Sequence, residues 1–159
     1  MLNVKFITLG TLKEGYLRDA AAEYEKRLGG FCRFTTVQLK EERLSYQPSE
    51  SEIKNALERE SAKIFAEIPS RAYVIAMCVE GKQCSSEELA DKLEEISARS
   101  SDICFIIGSS FGLADMVKQR ADMRLSVSKL TFPHQLMRVI LLESVYRAFN
   151  IQKGTKYHK

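Results

Sequence analysis

The sequence lacks the patterns that mark several large classes of protein. No apolar run approaches the roughly 18 residues that a membrane-spanning helix requires. The first ten residues show no basic stretch followed by an apolar stretch and a small-residue cleavage site, so no signal peptide is expected. Internal repeats and low-complexity segments are also absent. These observations predict a cytoplasmic globular protein without membrane contact.

Paired metal ligands are equally scarce. The four cysteines and two histidines are widely spaced: Cys32, Cys78, Cys84, Cys104, His134 and His158. No C-x-x-C pair occurs, so a zinc site is poorly supported and we expect no metal. Cys78 and Cys104 lie inside apolar runs, where a reduced cysteine behaves as a small hydrophobic residue.

The composition is that of a folded domain with an uneven charge distribution. Of the 159 residues, 45% are hydrophobic, which predicts one domain over 1–159. Residues 118–159 contain nine Lys/Arg and two acidic residues, a net charge of +7, whereas the preceding part carries −4. This asymmetry is consistent with a polyanionic partner at the C-terminal part. A solvated basic surface is the alternative explanation.

Hydrophobic periodicity predicts alternating strands and helices. Strands are predicted over 3–9, 31–39, 73–79, 102–107 and 123–127. Helices are predicted over 12–28, from Ser49 to before Pro69, from Ser85 past Ile96, over 113–120 and over 133–149. The nearly continuous apolar strands are typical of a sheet covered on both faces. The predicted fold is therefore α/β, with a mostly parallel sheet and helices on both faces.

Two loops follow predicted strands and precede predicted helices, the position where ligands bind in parallel α/β sheets. The first, 108–112, contains Gly108 and Gly112, which allow close approach of backbone to a ligand, although a tight turn alone would explain them. Its spacing matches neither a dinucleotide-binding motif nor a P-loop. The second loop, 125–133, is rich in small polar residues, and its Thr131 is also a candidate cap for the following helix.

Basic and aromatic residues follow the second loop. His134 and Arg138 are four residues apart and share a face of the last helix, as an exposed surface pair would. Tyr157, His158 and Lys159 end the chain, where fraying is the usual expectation. These residues alone do not define a function.

Taken together, four segments resemble a known family. They are IGSSFGL (107–113), LSVSKLTFPHQL (125–136), ESVYRA (143–148) and GTKYHK (154–159). With YEKRL at 24–28 and the Gly81-Lys82 turn, they resemble the SPOUT superfamily, specifically its large-subunit rRNA pseudouridine N3-methyltransferases. The resemblance covers the full chain, and the C-terminal segments are the most specific. It implies a C-terminal trefoil knot and a homodimer in which one subunit's tail completes the other's site.

The resemblance also implies which residues bind and react. Its cofactor is S-adenosyl-L-methionine, and the matching contacts are Met77, Gly108, Val127, Ser128, Lys129, Leu130, Thr131 and Phe132. The implied activity is methylation of N3 of a pseudouridine in 23S rRNA, on assembled ribosomes. Cofactor and RNA sites would lie mainly within 104–159.

Methylation at N3 requires loss of a proton and stabilisation of the resulting anion. We assign catalysis to His158 as proton acceptor, with His134 as second choice, and to Tyr157, which would orient the base. Lys129, Arg138 and Arg147 are assigned to the positive field that stabilises the anion. The expected RNA contacts are Lys129, His134, Arg138, Arg147, Lys156 and Lys159. Alternatively, His134 and Glu143 only fix the last helix, since Glu143 and Arg147 are spaced to pair.

Two positions depart from the family pattern. Ser109 stands where the family commonly has glycine, and Ser144 where it commonly has glutamine. Ser109 adds a Cβ near the expected cofactor path and is the one feature favouring a non-catalytic RNA-binding module. Methylation of another RNA, such as a tRNA, is the nearest alternative. A nucleotide-binding α/β protein is disfavoured by the absent phosphate-loop spacing.

Overall fold

The computed structural model describes all 159 residues as a five-stranded sheet with five helices. In chain order the elements are β1 (Asn3–Leu9), α1 (Gly15–Leu28), β2 (Arg33–Leu39), α2 (Glu50–Glu67), β3 (Tyr73–Lys82), α3 (Ser86–Ser97), β4 (Asp102–Ile107), α4 (Asp115–Arg120), β5 (Met123–Leu125) and α5 (His134–Gln152). None of these helices combines the length and apolar character needed to cross a membrane.

All strand pairs are parallel, and the strand order is β2-β1-β4-β3-β5. At the centre, Phe6 of β1 lies opposite Thr36 of β2 and Phe105 of β4. The apolar strands β1, β3 and β4 occupy the interior of the sheet, because only there are both faces covered. The predicted α/β fold is thus confirmed.

Alternate residues of each central strand enter two separate cores. In β4, Ile103, Phe105 and Ile107 pack with α1, α3 and α5 on one face. Cys104 and Ile106 point to the opposite face, where they pack with α2 and α4. This follows from the two-residue period of a strand. The helices therefore lie on both faces, as predicted.

Serine side chains cap the N-termini of two helices. The Ser85 hydroxyl accepts a hydrogen bond from the Glu88 N–H (3.1 Å), and the Glu88 carboxylate accepts one from the Ser85 N–H (2.7 Å), completing a capping box before α3. At α2, Ser49 caps the Glu52 N–H (3.2 Å), but the Glu52 carboxylate accepts from Ser45 instead. The capping box at α2 is therefore incomplete.

Several predicted boundaries are wrong by a few residues. Strand β3 continues through the expected turn to Lys82, because Gly81 lies directly against the backbone of β5: a Cβ there would be 2.7 Å from the Leu125 carbonyl carbon. Strand β5 ends at Leu125 rather than at 127, since the Ser126 hydroxyl donates to the Ser128 carbonyl (2.9 Å) and turns the chain. Helix α5 extends beyond 149 to Gln152.

The starts of two helices differ as well. Helix α1 begins at Gly15, because the Arg18 guanidinium binds the carbonyls of Leu12 and Lys13 and keeps that stretch outside the helix. Helix α4 begins at Asp115 rather than at 113. Since strand order alone does not define how the chain threads, the trefoil knot stays a prediction at this point.

Candidate active site

A cavity of about 740 Å³ opens at the C-terminal edge of the sheet. Three chain segments surround it: residues 77–80 within β3, residues 107–113 from the last residue of β4 onward, and residues 125–134 from the last residue of β5 onward, except Lys129. Lys118 of α4 and Met137 of α5 complete the lining. Half of the lining residues are hydrophobic, as is usual for a site that takes a small organic molecule.

The turn after β4 brings the backbone unusually close to itself. The Gly112 N–H donates to the Ser109 carbonyl (2.9 Å), and Gly112 adopts a φ of +83°, which favours glycine. Any Cβ at Gly108 would collide with the Gly112 carbonyl. The tight turn therefore exists, and it also forms one wall of the cavity.

Hydroxyl groups shape the loop after β5. Leu130 donates its N–H to the Ser128 hydroxyl (3.0 Å), which folds the loop back towards the cavity. Thr131 lines the cavity and does not cap α5, because the residue before that helix is Pro133 and no side chain makes a capping bond. The capping interpretation of Thr131 is wrong.

The structure brings most of the expected cofactor residues to this one cavity. Those that line it are Met77, Gly108, Val127, Ser128, Leu130, Thr131 and Phe132. Lys129 is the exception, since its side chain is exposed and lies outside the lining. His134, expected as an RNA contact, is half-buried in the cavity wall, with Nε2 4.0 Å from Glu41 Oε1.

Sequence reasoning missed a charged pair at the cavity. Glu80 and Lys118 both line it and form an ion pair. The hydrogen bond from Lys118 is the main reason that the pKa of Glu80 lies below its ordinary value. Nothing in the sequence pattern indicates this contact, because it depends on how α4 packs beside β3.

A second group of functional candidates forms where the tail folds onto α5. The Arg147 guanidinium donates to both Glu143 oxygens (2.7 and 3.4 Å), and the Tyr157 hydroxyl donates to Glu143 Oε1 (2.9 Å). Arg147 also lies over the Tyr157 ring, 4.8 Å from its centre. Burial, followed by the bond to Glu143, raises the pKa of Tyr157 to about 12. The expected frayed tail is instead held by specific contacts.

His158 is bonded through both ring nitrogens. Its Nδ1 lies 3.2 Å from an Arg147 nitrogen, and its Nε2 lies 2.7 Å from Glu87 Oε1. Arginine can only donate hydrogen bonds, so Nδ1 must be the acceptor. Nε2 therefore carries the ring proton and donates a hydrogen bond to Glu87. In this arrangement His158 has no free lone pair. Neither His158 nor Tyr157 lines the cavity of its own chain.

Arg138 is buried, so the expected exposed pair of His134 and Arg138 is wrong. Only 2% of Arg138 is exposed, and its guanidinium donates to the Gly10 carbonyl (3.0 Å) at the end of β1. Its Nε and Nη1 atoms have no partner within the chain, and burial lowers its pKa. The side chain therefore faces the interior, away from any phosphate that approaches from solvent.

The other expected RNA contacts lie nearer the surface. Lys129, Lys156 and Lys159 are exposed, whereas Arg147 is half-buried in its pair with Glu143. The candidate functional residues therefore form three groups: those that line the cavity, those in the cluster where the tail contacts α5, and isolated surface lysines.

Known proteins resemble the whole of this chain. A family model described as "Predicted SPOUT methyltransferase" matches residues 2–158. A protein of Streptococcus thermophilus named ribosomal RNA large subunit methyltransferase H is 52% identical over 159 residues, covering 99% of this chain and all of that protein. Proteins with the same name from Leuconostoc mesenteroides and Bacillus pumilus are 50% and 45% identical, with the same coverage.

A solved structure shares the fold at low sequence identity. It is described as a probable methylase family protein from Haemophilus influenzae, and it matches with a TM-score of 0.56 and 16% identity over 99% of this chain and 71% of that chain. This likeness shows that the two proteins share an α/β fold. The chain belongs to the SPOUT methyltransferase family, which confirms the resemblance seen in the sequence.

Proposed function

We propose that this protein methylates N3 of a pseudouridine in 23S rRNA, with S-adenosyl-L-methionine as methyl donor. The observation that carries the proposal is full-length identity of 45–52% to proteins named ribosomal RNA large subunit methyltransferase H. The cavity at the C-terminal edge of the sheet gives such a donor a place to bind. The whole chain, 1–159, would act as one domain in the bacterial cytoplasm.

The lining of the cavity supports the proposal that it binds this cofactor. Gly108 keeps the floor free of a side chain, because a Cβ there has no room beside the Gly112 carbonyl. Apolar residues such as Met77 and Leu130 would contact the adenine, and Ser128 and Thr131 offer hydroxyls to polar groups. When bound, the cofactor supplies an electrophilic methyl group, and the protein's task is to align an acceptor with it.

The acceptor nitrogen must first lose its proton. We assign the role of the base that accepts this proton to His158. Its Nδ1 becomes available as an acceptor once the hydrogen bond with Arg147 breaks. Arg147 then remains near the reacting base as a positive charge that stabilises its anion. Tyr157 stays neutral and orients the base. Arg138, being only 2% exposed, is assigned instead to holding the start of α5 against the end of β1.

A homodimer would unite the cavity and the tail. Within one chain, Tyr157 and His158 do not line the cavity, so the tail of a second copy is proposed to complete it. The outer side of α5 has apolar residues suited to such a contact, including Leu136, which is 37% exposed. A mixture of His158→Ala and Thr131→Trp proteins should regain activity that each lacks, whereas sites built within one chain would give no recovery.

The RNA contacts are proposed for Lys129, Lys156 and Lys159, together with His134 and Arg147. Because phosphate contacts release counterions, the logarithm of affinity should fall steeply as the logarithm of salt concentration rises. A flat dependence would contradict RNA binding through these lysines. We further propose the assembled ribosome as substrate, since the exposed lysines Lys129, Lys156 and Lys159 can contact phosphates but do not by themselves read a base sequence.

Methyl transfer to different RNA substrates tests this function. Purified protein and tritiated S-adenosyl-L-methionine would be incubated with naked 23S rRNA, isolated large subunits, whole ribosomes and tRNA. Nucleoside mass spectrometry would then identify the product. We expect N3-methylpseudouridine from whole ribosomes. Label in tRNA alone would establish the alternative substrate, and absence of label from every substrate would contradict the proposal.

A further inference from the structure

One acidic side chain lies where the fold itself requires none. Glu60 is on the inner face of α2, in line with the buried Ala56 and Ile64, and only 4% of it is exposed. An apolar residue would suit this position better, because burying a carboxylate is costly unless it is well bonded. Its presence therefore calls for a specific partner.

Residues of two loops lie near Glu60. Its carboxylate accepts a hydrogen bond from the Glu42 N–H (3.0 Å), and Ser109 lines the same small cavity as Glu60. Burial, opposed by the bond from the Glu42 N–H, raises the pKa of Glu60, and the nearby carboxylates of Glu41 and Glu42 add to the rise. Lys63, one turn further along α2, pairs with Glu42 (2.8 Å) rather than with Glu60.

Ser109 connects Glu60 to the candidate cofactor cavity. It is 8% exposed, and its carbonyl accepts the Gly112 N–H that closes the turn after β4. A smaller cavity of about 180 Å³ lies on the other side of this turn, lined by Glu60, Glu41 and Glu42. Because residues 109–111 line both cavities, the turn is a thin wall with Glu60 behind it.

We propose that Glu60 is a positioning residue for the cofactor: through Ser109 it holds the turn of residues 109–112 in the shape that the cofactor contacts. This inference rests on the proposed use of the larger cavity by S-adenosyl-L-methionine. It also gives Ser109 a role, since this residue departs from the family pattern and lines the same small cavity as Glu60. Glu60 itself does not line the larger cavity.

Replacement of Glu60 by methionine separates positioning from stability. Methionine has a similar length and removes a buried charge, so Glu60→Met should fold with an unchanged or higher thermal midpoint. The same change should raise the Kd for S-adenosyl-L-methionine about tenfold, the effect of losing one hydrogen bond to a charged group. Turnover at saturating cofactor should stay the same. Glu58→Met, on the exposed side of the same helix, is the matched control and should change neither quantity.

A double-mutant cycle tests the route through Ser109. Ser109→Ala should weaken cofactor binding, and the double variant with Glu60→Met should bind no more weakly than the worse single variant. Additive losses would show that the two residues act independently. Such a result, or an unchanged Kd in Glu60→Met, would overturn the proposal.

A measurement without cofactor keeps this inference distinct from the proposed function. In the protein alone, Glu60→Met should speed hydrogen exchange of the Gly112 amide, which bonds to Ser109, and Glu58→Met should not. An unchanged exchange rate of the Gly112 amide would contradict the proposal that Glu60 stabilises the turn. If the wild-type protein binds no S-adenosyl-L-methionine, the proposed function and the predicted change in Kd fail together. Faster exchange of the Gly112 amide in Glu60→Met would still establish that Glu60 stabilises the turn.

Discussion

Gly108 and Gly112 are glycines for different physical reasons. Gly112 needs a positive φ and has open space around the position of a Cβ, whereas Gly108 lacks room for any side chain. Sequence reasoning identified both as loop glycines that allow a close backbone approach. It did not foresee that Gly108 packs against Gly112 itself, because that contact exists only once the turn is closed.

The two glycines give a prediction at the residue scale. Gly112→Ala should lower the free energy of unfolding by about 1 kcal/mol, the cost of a left-handed backbone for a non-glycine residue. Gly108→Ala should lower it further, since the backbone must move to admit the methyl group. Urea denaturation of both variants checks the order. Equal losses would contradict the packing described for Gly108.

Arg138 shows where reasoning from single residues fails. A charged residue is expected at the surface, and the spacing from His134 supported that expectation. The structure instead uses the guanidinium to bind the Gly10 carbonyl at the end of β1. No local sequence pattern predicts this contact, because the carbonyl that accepts the hydrogen bond lies near the opposite end of the chain.

At the scale of secondary structure, the cap of α3 provides a direct test. Ser85→Ala removes the hydroxyl that accepts the Glu88 N–H and should lower the free energy of unfolding by about 1 kcal/mol. Ser86→Ala is the matched control, because the Ser86 side chain, one residue later, makes no capping hydrogen bond. Chemical denaturation measures both, and equal effects would mean that the capping box contributes little.

Existence and type of every strand and helix were predicted correctly, but several ends were not. Apolar periodicity is local, so it identified β4 and placed β1 and α2 closely. The end of β3 is not local, because Gly81 extends the strand only by lying against Leu125 of β5. Boundaries that depend on a partner strand are therefore the ones that the sequence left open.

At the scale of the whole molecule, buried thiols report on the integrity of both cores. Burial raises the pKa of Cys32 to about 11 and that of Cys104 to about 12, so little thiolate forms at pH 8. Both should resist iodoacetamide until the protein unfolds, and both should react in urea. Mass spectrometry of digested samples measures this. Rapid labelling of Cys104 in native protein would contradict its place in the sheet.

The sequence predicted the sheet and most of the cavity, but not the contacts that support it. Loops after parallel strands meet at one edge by topology, so Gly108 and residues 127–132 were expected together. The ion pair of Glu80 with Lys118, and the hydrogen bond from the Glu42 N–H to Glu60, join segments whose approach depends on helix packing. Such contacts become visible only in three dimensions.

The central claim is that the cavity between the turn after β4 and the loop after β5 binds S-adenosyl-L-methionine. Calorimetric titration of the wild-type protein, Thr131→Trp and Thr35→Trp tests it most directly. Thr131 is exposed and lines the cavity, whereas Thr35 is an exposed threonine of β2 outside it. We predict saturable binding that is lost in Thr131→Trp and kept in Thr35→Trp. No binding by wild type, or equal binding by all three proteins, would contradict the account.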